Sequence, residues 1–250
     1  LKKILIFYSY IFESFLCLFS KKIIYNNPIL LRQQKNSIYG KISFWIQRDF
    51  CYNGYREETY CKFIEDKYSL QIIKEIKKLL RKLRNKEIKI VVFIGSMSKW
   101  HGINYLYDLQ HCFNKNKDNI SIIFLGGLYK VKVPQGSYHI PCLSPSASDF
   151  LLSKADGSLV PCNDIRTSPG SPLKLYDSIR NKCIIFAQED LEGYGDEVRN
   201  LDVGLGVDFK NADLARKIIK DNLMHNNNNF YKKNKYKKAI WEERLKKWFL

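Results

Sequence analysis

The 250-residue sequence is short of several things, and each shortage excludes something. Glycine (13) and proline (7) are few and recur at no fixed interval, which excludes collagen-like and solenoid architectures. Seven cysteines, at positions 17, 51, 61, 112, 142, 162 and 183, include no C-x-x-C pair, and their odd number argues against a complete disulfide framework. A reducing cytoplasm is the expected compartment. No Asp/Glu/His cluster has metal-ligand spacing, so no metal is expected, and neither a Walker A lysine motif nor a full G-x-G-x-x-G occurs. Long apolar runs are also missing. The stretch 4–19 is short, contains Glu13 and lacks a small-residue cleavage site, so it reads as a buried helix rather than an anchor or signal. The chain begins with Leu1 rather than Met, as a fragment without its true start would.

What is present is enough for a core. Apolar residues make up 45% of the chain, with 16 Tyr and 15 Phe, against 27% charged residues. That balance excludes global disorder. The 42 Lys and Arg against 25 Asp and Glu leave +17, a field that concentrates anions such as nucleic acids, acidic lipids or nucleoside diphosphates. The abundance of Lys, Asn, Ile and Tyr also matches the coding bias of an AT-rich genome, so part of this charge carries no function. Its clearest concentration follows Ser69, a candidate N-cap. Ile72, Ile73, Ile76, Leu79, Leu80 and Leu83 keep helical spacing, while Lys74, Lys77, Lys78, Arg81 and Lys82 take the other face. A basic amphipathic helix of this kind either lies on an anionic membrane or simply solvates its polar face.

Short strands are expected over 22–25 and 41–46. From 88 onward apolar runs alternate with helical patterns: strands over 88–94, 120–125, 157–160, 183–187 and 203–208, and helices over 103–113, 146–154, 172–179, 191–198 and 212–223. This is the signature of a parallel sheet covered by helices, a Rossmann-like doubly wound α/β domain. After the low-complexity break 226–229, Ile240, Trp241, Leu245 and Trp248 mark one more amphipathic helix, whose stripe should pack on the segment before Ile88.

In such sheets ligands bind beyond the carboxyl ends of the strands. Two loops stand there. The first, Gly95-Ser96-Met97-Ser98-Lys99-Trp100-His101-Gly102, joins a strand to a helix with small residues, so its amides can face a phosphate. The second runs Ser168-Pro169-Gly170-Ser171-Pro172-Leu173-Lys174-Leu175-Tyr176-Asp177. Here Ser171 fits an N-cap and Pro172 the first helical turn, leaving the amides of Leu173 and Lys174 for a diphosphate. Asp177, about one and a half turns further on, is placed to accept hydrogen bonds from a ribose diol. His111 and His139 are isolated and read as structural.

The succession VVFIGSMSKWHGINYL, ISIIFLGG, ASDFLLSKADGSLVPCND, SPGSPLKLYDSI, CIIFAQEDLEGYGDEV, LDVGLGVDFKNADLARKII and WEERLKKW resembles the C-terminal half of a family-4, GT-B-fold glycosyltransferase, from about Ile88 to Leu250. The resemblance implies a nucleotide-sugar donor site, retaining transfer and no metal or other cofactor. Asp177 stands at the family's second acidic position, which holds the ribose, while Pro169 replaces the first. Ser96 and His101 stand where the family carries a diphosphate arginine and lysine, and Lys99 and Lys174 are the candidates to compensate. Glu189, Asp190 and Glu192 resemble the loop beside the donor sugar. The family's Gly-x-Pro becomes Asn181-Lys182-Cys183, one residue closer to the donor helix, with Asn181 suited to a left-handed helix cap.

The expected organisation is thus a partial N-terminal acceptor-side segment over 1–87, a nucleotide-sugar-binding domain over 88–225, and a C-terminal helix over 226–250. Catalytic candidates are His101 and Lys174; donor-binding candidates are Gly95, Ser96, Lys99, Gly170, Ser171, Leu173, Asp177, Glu189 and Asp190. The expected partners are an NDP-sugar and a polysaccharide or lipid-linked acceptor, with peripheral contact to an anionic membrane, in a bacterial-type enzyme at the inner membrane face. Two rivals follow from the departures and the charge: a donor-binding subunit without turnover, and a basic nucleic-acid module. No RRM, KH, zinc-finger or helix-turn-helix signature supports the second.

Overall fold

The computed structural model describes residues 22–25, 31–32, 35–36, 41, 46–56, 67–142, 144–163, 172–224 and 229–249, with backbone alone for 247–249. The helix expected over 4–19 lies outside them. The chain divides into two compact units, 1–53 and 54–250.

In the first unit β1 (Lys22–Tyr25) pairs in parallel with β2 (Gln47–Phe50), Lys22 opposite Gln47 and Tyr25 opposite Phe50. The Cys51 amide extends the ladder to the Tyr25 carbonyl at 2.8 Å. Of the strand expected over 41–46, residues 42–45 lie outside the described residues; Lys41 is helical, and the described strand runs from Gln47.

The second unit holds α1 (Lys67–Arg84), β3 (Lys89–Ile94), α2 (Ile103–Lys115), β4 (Ile120–Leu125), β5 (Tyr138–Ile140), α3 (Pro145–Leu152) and β6 (Gly157–Val160). There follow α4 (Leu173–Arg180), β7 (Ile185–Gln188), α5 (Gly195–Leu201), β8 (Gly204–Val207), α6 (Ala212–Met224) and α7 (Trp241–Phe249). The strands form one sheet in the order β5-β4-β3-β6-β7-β8, every pair parallel. The Rossmann-like doubly wound α/β fold read from the sequence is therefore the observed one.

Its strands are apolar on both faces because both faces are covered. Val91 and Phe93 of β3, with Ile122 and Phe124 of β4, pack among Leu106, Leu109 and Phe113 of α2 and Ile219 and Leu223 of α6. The alternate residues Ile90, Val92, Ile123 and Leu125 meet Ile76 and Leu83 of α1 and Ala147 and Leu151 of α3. The period of two along each strand thus feeds two cores at once.

Four local expectations need correction. Ser69 is not a cap: α1 begins at Lys67, and Ser69 is buried inside it with its Oγ 2.6 Å from that of Ser144. Ser144 caps α3 instead, accepting from the Ala147 amide. β5, three residues long, was not foreseen. α5 starts at Gly195 rather than Leu191, because Gly193 turns the chain at φ 84° and the Asp196 carboxylate accepts from the Gly193 and Tyr194 amides at 2.7 and 3.1 Å. The left-handed residue after α4 is Lys182 (φ 53°), not Asn181 (φ −86°). Asn181 stays right-handed while its side-chain amide donates to the Asp177 carbonyl and to Asp149.

Near the C-terminus the Tyr55 amide donates to the Ala239 carbonyl and the Trp241 amide to the Tyr55 carbonyl, both at 2.9 Å. A Cβ on Gly54 would stand 3.3 Å from the Trp241 indole and 2.6 Å from the Ala239 oxygen, so glycine permits the approach. Trp241 and Leu245 are half-buried; the side chain of Trp248 lies outside the described residues.

α2 and α6 are also tied electrostatically. Asp118, just past α2 with its side chain 1% exposed, meets Arg216 at 2.5 Å and Lys220 at 2.7 Å. Burial by itself would raise its carboxyl, but hydrogen bonds from Arg216 and Lys220 outweigh that and hold it below the ordinary value. An aspartate depressed in this way contributes stability that is complete above its unfolded value of about 3.9 and is lost as pH falls through the folded one. Urea unfolding from about pH 4 down to about pH 2 should therefore show a shallower loss of stability in Asp118→Asn than in the wild type. Parallel acid limbs in the two proteins would show that the pair contributes nothing.

Candidate functional site

The chain leaves β3 toward β4 and β5 on one side, then returns to β6 and proceeds to β7 and β8 on the other. β3 and β6 therefore flank the point where the strand order reverses, where open parallel sheets place their ligands. Three loops close on that point. Gly102, at φ 73°, ends the loop after β3; a Cβ there would lie 3.0 Å from Pro161 Cβ and 3.3 Å from the Cys162 amide, both just past β6. The Asn163 amide donates to the Trp100 carbonyl at 3.2 Å. Gly126, after β4, lies so close to Gly95 that a Cβ would be 2.2 Å from the Gly95 oxygen.

Under this loop lies the ring of Phe93, fully buried. His101, in a 3-10 turn (Lys99–His101), sets its ring edge-on to Phe93 at 6.3 Å between centroids and against Trp100 at 4.8 Å. Lys174 enters from the second residue of α4, its ammonium 4.3 Å from the Phe93 centroid and 3.8 Å from where a Gly95 Cβ would stand. Two candidates from distant parts of the sequence, His101 and Lys174, thus share one ring, beside Gly95. Ser96 is exposed, its Oγ 2.8 Å from that of Ser98, and Lys99 is exposed as well.

The helix start differs from expectation in one respect. Pro172, not Ser171, occupies the N-cap of α4, and it has no side-chain cap bond to offer. The amides of Leu173 and Lys174 are the first two of the helix, which leaves them without intrahelical acceptors. Gly170 and Ser171 lie outside the described residues.

Asp177 is half-exposed on α4, 3.2 Å from Arg180, whose guanidinium also meets the buried Asp149 of α3 at 2.5 Å. Burial raises the Asp177 carboxyl above its ordinary value; Arg180 pulls it down and Asp149 pushes it up, and the balance stays upward. The neighbouring Tyr176 is buried, donates to Glu197 of α5 at 3.2 Å and lies under Arg244 of α7, which itself pairs with Glu197. α4 is thereby fastened to α3 on one side and to α5 and α7 on the other.

Glu189 and Asp190 form a second group past β7. Glu189 meets Arg199 at 2.5 Å, and Asp190 meets Lys210 at 3.3 Å. Partial burial would raise the Asp190 carboxyl, but hydrogen bonds from Gln188 and Lys210 hold it lower than usual.

Sequence reasoning missed three contributors. Phe93 reads only as core, since nothing in an apolar strand announces which ring will end beneath a cation. Asp149 and Arg180 sit on separate helices with no shared motif. His139 is structural, as its isolation implied: buried, it accepts from the Val131 amide at 3.0 Å while its other nitrogen meets the Gly126 carbonyl at 2.9 Å, so it shapes the loop that abuts Gly95. Among the described residues no three His, Cys, Asp or Glu side chains gather as a metal site would need, and no helix is long and apolar enough to cross a membrane.

The Asp149–Arg180 pair has side chains only 8% and 6% exposed. Removing one partner of such a pair leaves a buried charge uncompensated, so Arg180→Met should destabilise the protein by about 3–5 kcal/mol. Denaturant unfolding measures it, and a loss below about 1 kcal/mol would make the pair no stronger than a surface one.

No protein-family model and no curated protein matches the chain. Solved structures do. A glycosyltransferase from Rickettsia africae ESF-5 superposes with a TM-score of 0.64 at 13% identity, covering 91% of this chain and 61% of that one. WaaG, a glycosyltransferase involved in lipopolysaccharide biosynthesis, gives 0.58 at 13% identity, covering 90% and 59%. HepE of Anabaena, solved with UDP-glucose, gives 0.57 at 12%, covering 82% and 55%. The chain thus spans 55–61% of the length of these structures. Its fold is that of the GT-B glycosyltransferases.

Proposed function

We propose that this chain carries the donor site of a retaining glycosyltransferase that moves a sugar from a nucleoside-diphosphate sugar to a polysaccharide or lipid-linked acceptor, in the cytoplasm at the inner face of an anionic membrane. One observation carries the reading: the 95–102 loop and the α4 N-terminus meet through Lys174 at the reversal point of a GT-B-type sheet. HepE, of the same fold, binds UDP-glucose.

In the proposed reaction the bond from the sugar anomeric carbon to the diphosphate oxygen breaks, a bond to the acceptor oxygen forms on the same face, and the acceptor hydroxyl's proton passes to the departing diphosphate. Charge grows on the departing diphosphate. The amides of Leu173 and Lys174, the ammonium groups of Lys174 and Lys99, and His101 stabilise it more than they stabilise the bound donor. Gly95 and Gly102 let backbone come close, and Asp177 holds the ribose. No metal or organic cofactor enters this step. Glu189 and Asp190 hold sugar hydroxyls by exchanging Arg199 and Lys210 for them; both ion pairs are largely exposed, and such pairs are worth about 0–1 kcal/mol, so the exchange is cheap.

A second reading, a donor-binding subunit without turnover, is favoured by Ser96 and His101 at the places of an arginine and a lysine and by the engagement of both acids. Incubation with UDP-, GDP- and ADP-sugars separates the two. NDP release supports the enzyme, binding without release supports the subunit, and absence of any NDP binding overturns both.

Asp177→Asn keeps size and removes charge. It should weaken NDP binding roughly ten- to a hundred-fold with little change in melting temperature. Because the Asp177 carboxyl is raised, wild-type affinity should begin to fall on acidification above the range where an ordinary aspartate protonates, about pH 3.9, and the variant should lack that limb. Calorimetric titration from about pH 7 to about pH 4 reads both effects.

A further inference from the structure

We propose that the outer face of α1 is a docking surface for an anionic lipid bilayer. The helix buries Ser69, Ile72, Ile76, Leu80 and Leu83 along one stripe. Its outer face exposes Lys67, Lys74, Lys77, Lys78, Arg81 and Lys82 against the single acid Glu75. Among the described residues no ion pair engages any of the six. The cations Arg84 and Lys89, by contrast, are committed to Asp156 at 2.8 and 3.6 Å.

Four features favour an anion at this face over plain solvation. Lys74 and Lys78, Lys77 and Arg81, and Lys78 and Lys82 are like charges four residues apart, an arrangement that destabilises a helix in water and that a negative surface relieves. The face is also long, about 27 Å for 18 residues, which matches a plane better than a pocket. At its N-terminal end Tyr68 and Leu70 are 49% and 39% exposed, apolar groups at the place where an interfacial helix buries them. Lys77 and Lys82 lie over the rings of Phe150 and Tyr138, at 5.4 and 5.9 Å, so the cationic stripe continues onto the adjoining surface.

Lipid is favoured over nucleic acid by the type of cation. Five of the six are lysines, hydrated point charges suited to diffuse attraction, where nucleic-acid readers use forked arginines and rings interleaved among the charges. Here the aromatic residue of the face stands at one end.

The test is co-sedimentation with vesicles of phosphatidylcholine alone and with about one-third phosphatidylglycerol, at low salt and at about 0.15 M. The wild type should bind the mixed vesicles and not the neutral ones. Lys74→Glu, Lys78→Glu and Arg81→Glu together should lower that partition at least about a hundred-fold, since each cation contributes about five-fold at such a surface. The same positions changed to Gln give a milder variant should the first misfold, with folding checked by melting temperature. As a control, Lys233, Lys235 and Lys237, all exposed, are changed to Glu, which alters net charge equally elsewhere and should leave most of the binding. Equal binding to both vesicle types, equal losses in the two variants, or displacement by a random oligonucleotide that the α1 variant no longer binds would each overturn the proposal. NDP binding measured alongside keeps the donor-site reading separate: vesicle binding without NDP binding removes that reading and leaves this one standing.

Discussion

A parallel sheet has no hairpins, so after every strand the chain must cross one face before it can add the next. That constraint organises the second unit. Crossings on both faces supply the two cores that bury Phe93 and Val92 on opposite sides of β3. They also bring every strand's carboxyl end, and the helix that follows it, to the same edge. Where the direction of addition reverses, between β3 and β6, no crossing fills the gap. The candidate site is therefore a product of topology before any particular side chain is considered, and glycine at 95, 102 and 126 keeps backbone rather than Cβ atoms in contact there.

Within that gap Ser96 and His101 stand in the loop beside β3, and Lys174 enters from α4. The ammonium lies over Phe93, the ring that His101 also approaches. A ring under a cation attracts it through its quadrupole, so Phe93 helps hold the Lys174 ammonium beside Gly95.

The elements that were legible in the sequence are those with one cause. β3, β4, α2 and α6 follow from hydrophobic period alone and stand within two residues of where that period puts them. Where two causes compete, the reading slipped. Leu191 continues an apolar pattern, but Gly193 and the Asp196 carboxylate delay α5. Asn181 suits a left-handed cap, but its hydrogen bonds to Asp149 and Asp177 hold it right-handed and pass the turn to Lys182. Ser69 has the chemistry of a cap, but a partner hydroxyl 75 residues away claims it. For the candidate site, the places of the Gly95 loop after β3 and of the start of α4 were legible. The Arg180 bridge between Asp149 and Asp177 was not, since it depends on which helices become neighbours.

The contact of Arg244 with Tyr176 and Glu197 gives the final helix a bearing on residues far from it in sequence. Glu197 is buried, and without a cation beside it its charge could persist only where α5 shifted enough to admit water. Tyr176, whose hydroxyl follows Glu197, would be drawn along, and Asp177 is the next residue on the same helix. Residues 241–249 are in this sense the counterweight of α4: the position of the Asp177 carboxylate is set in part by a turn of chain that bears on its neighbour Tyr176.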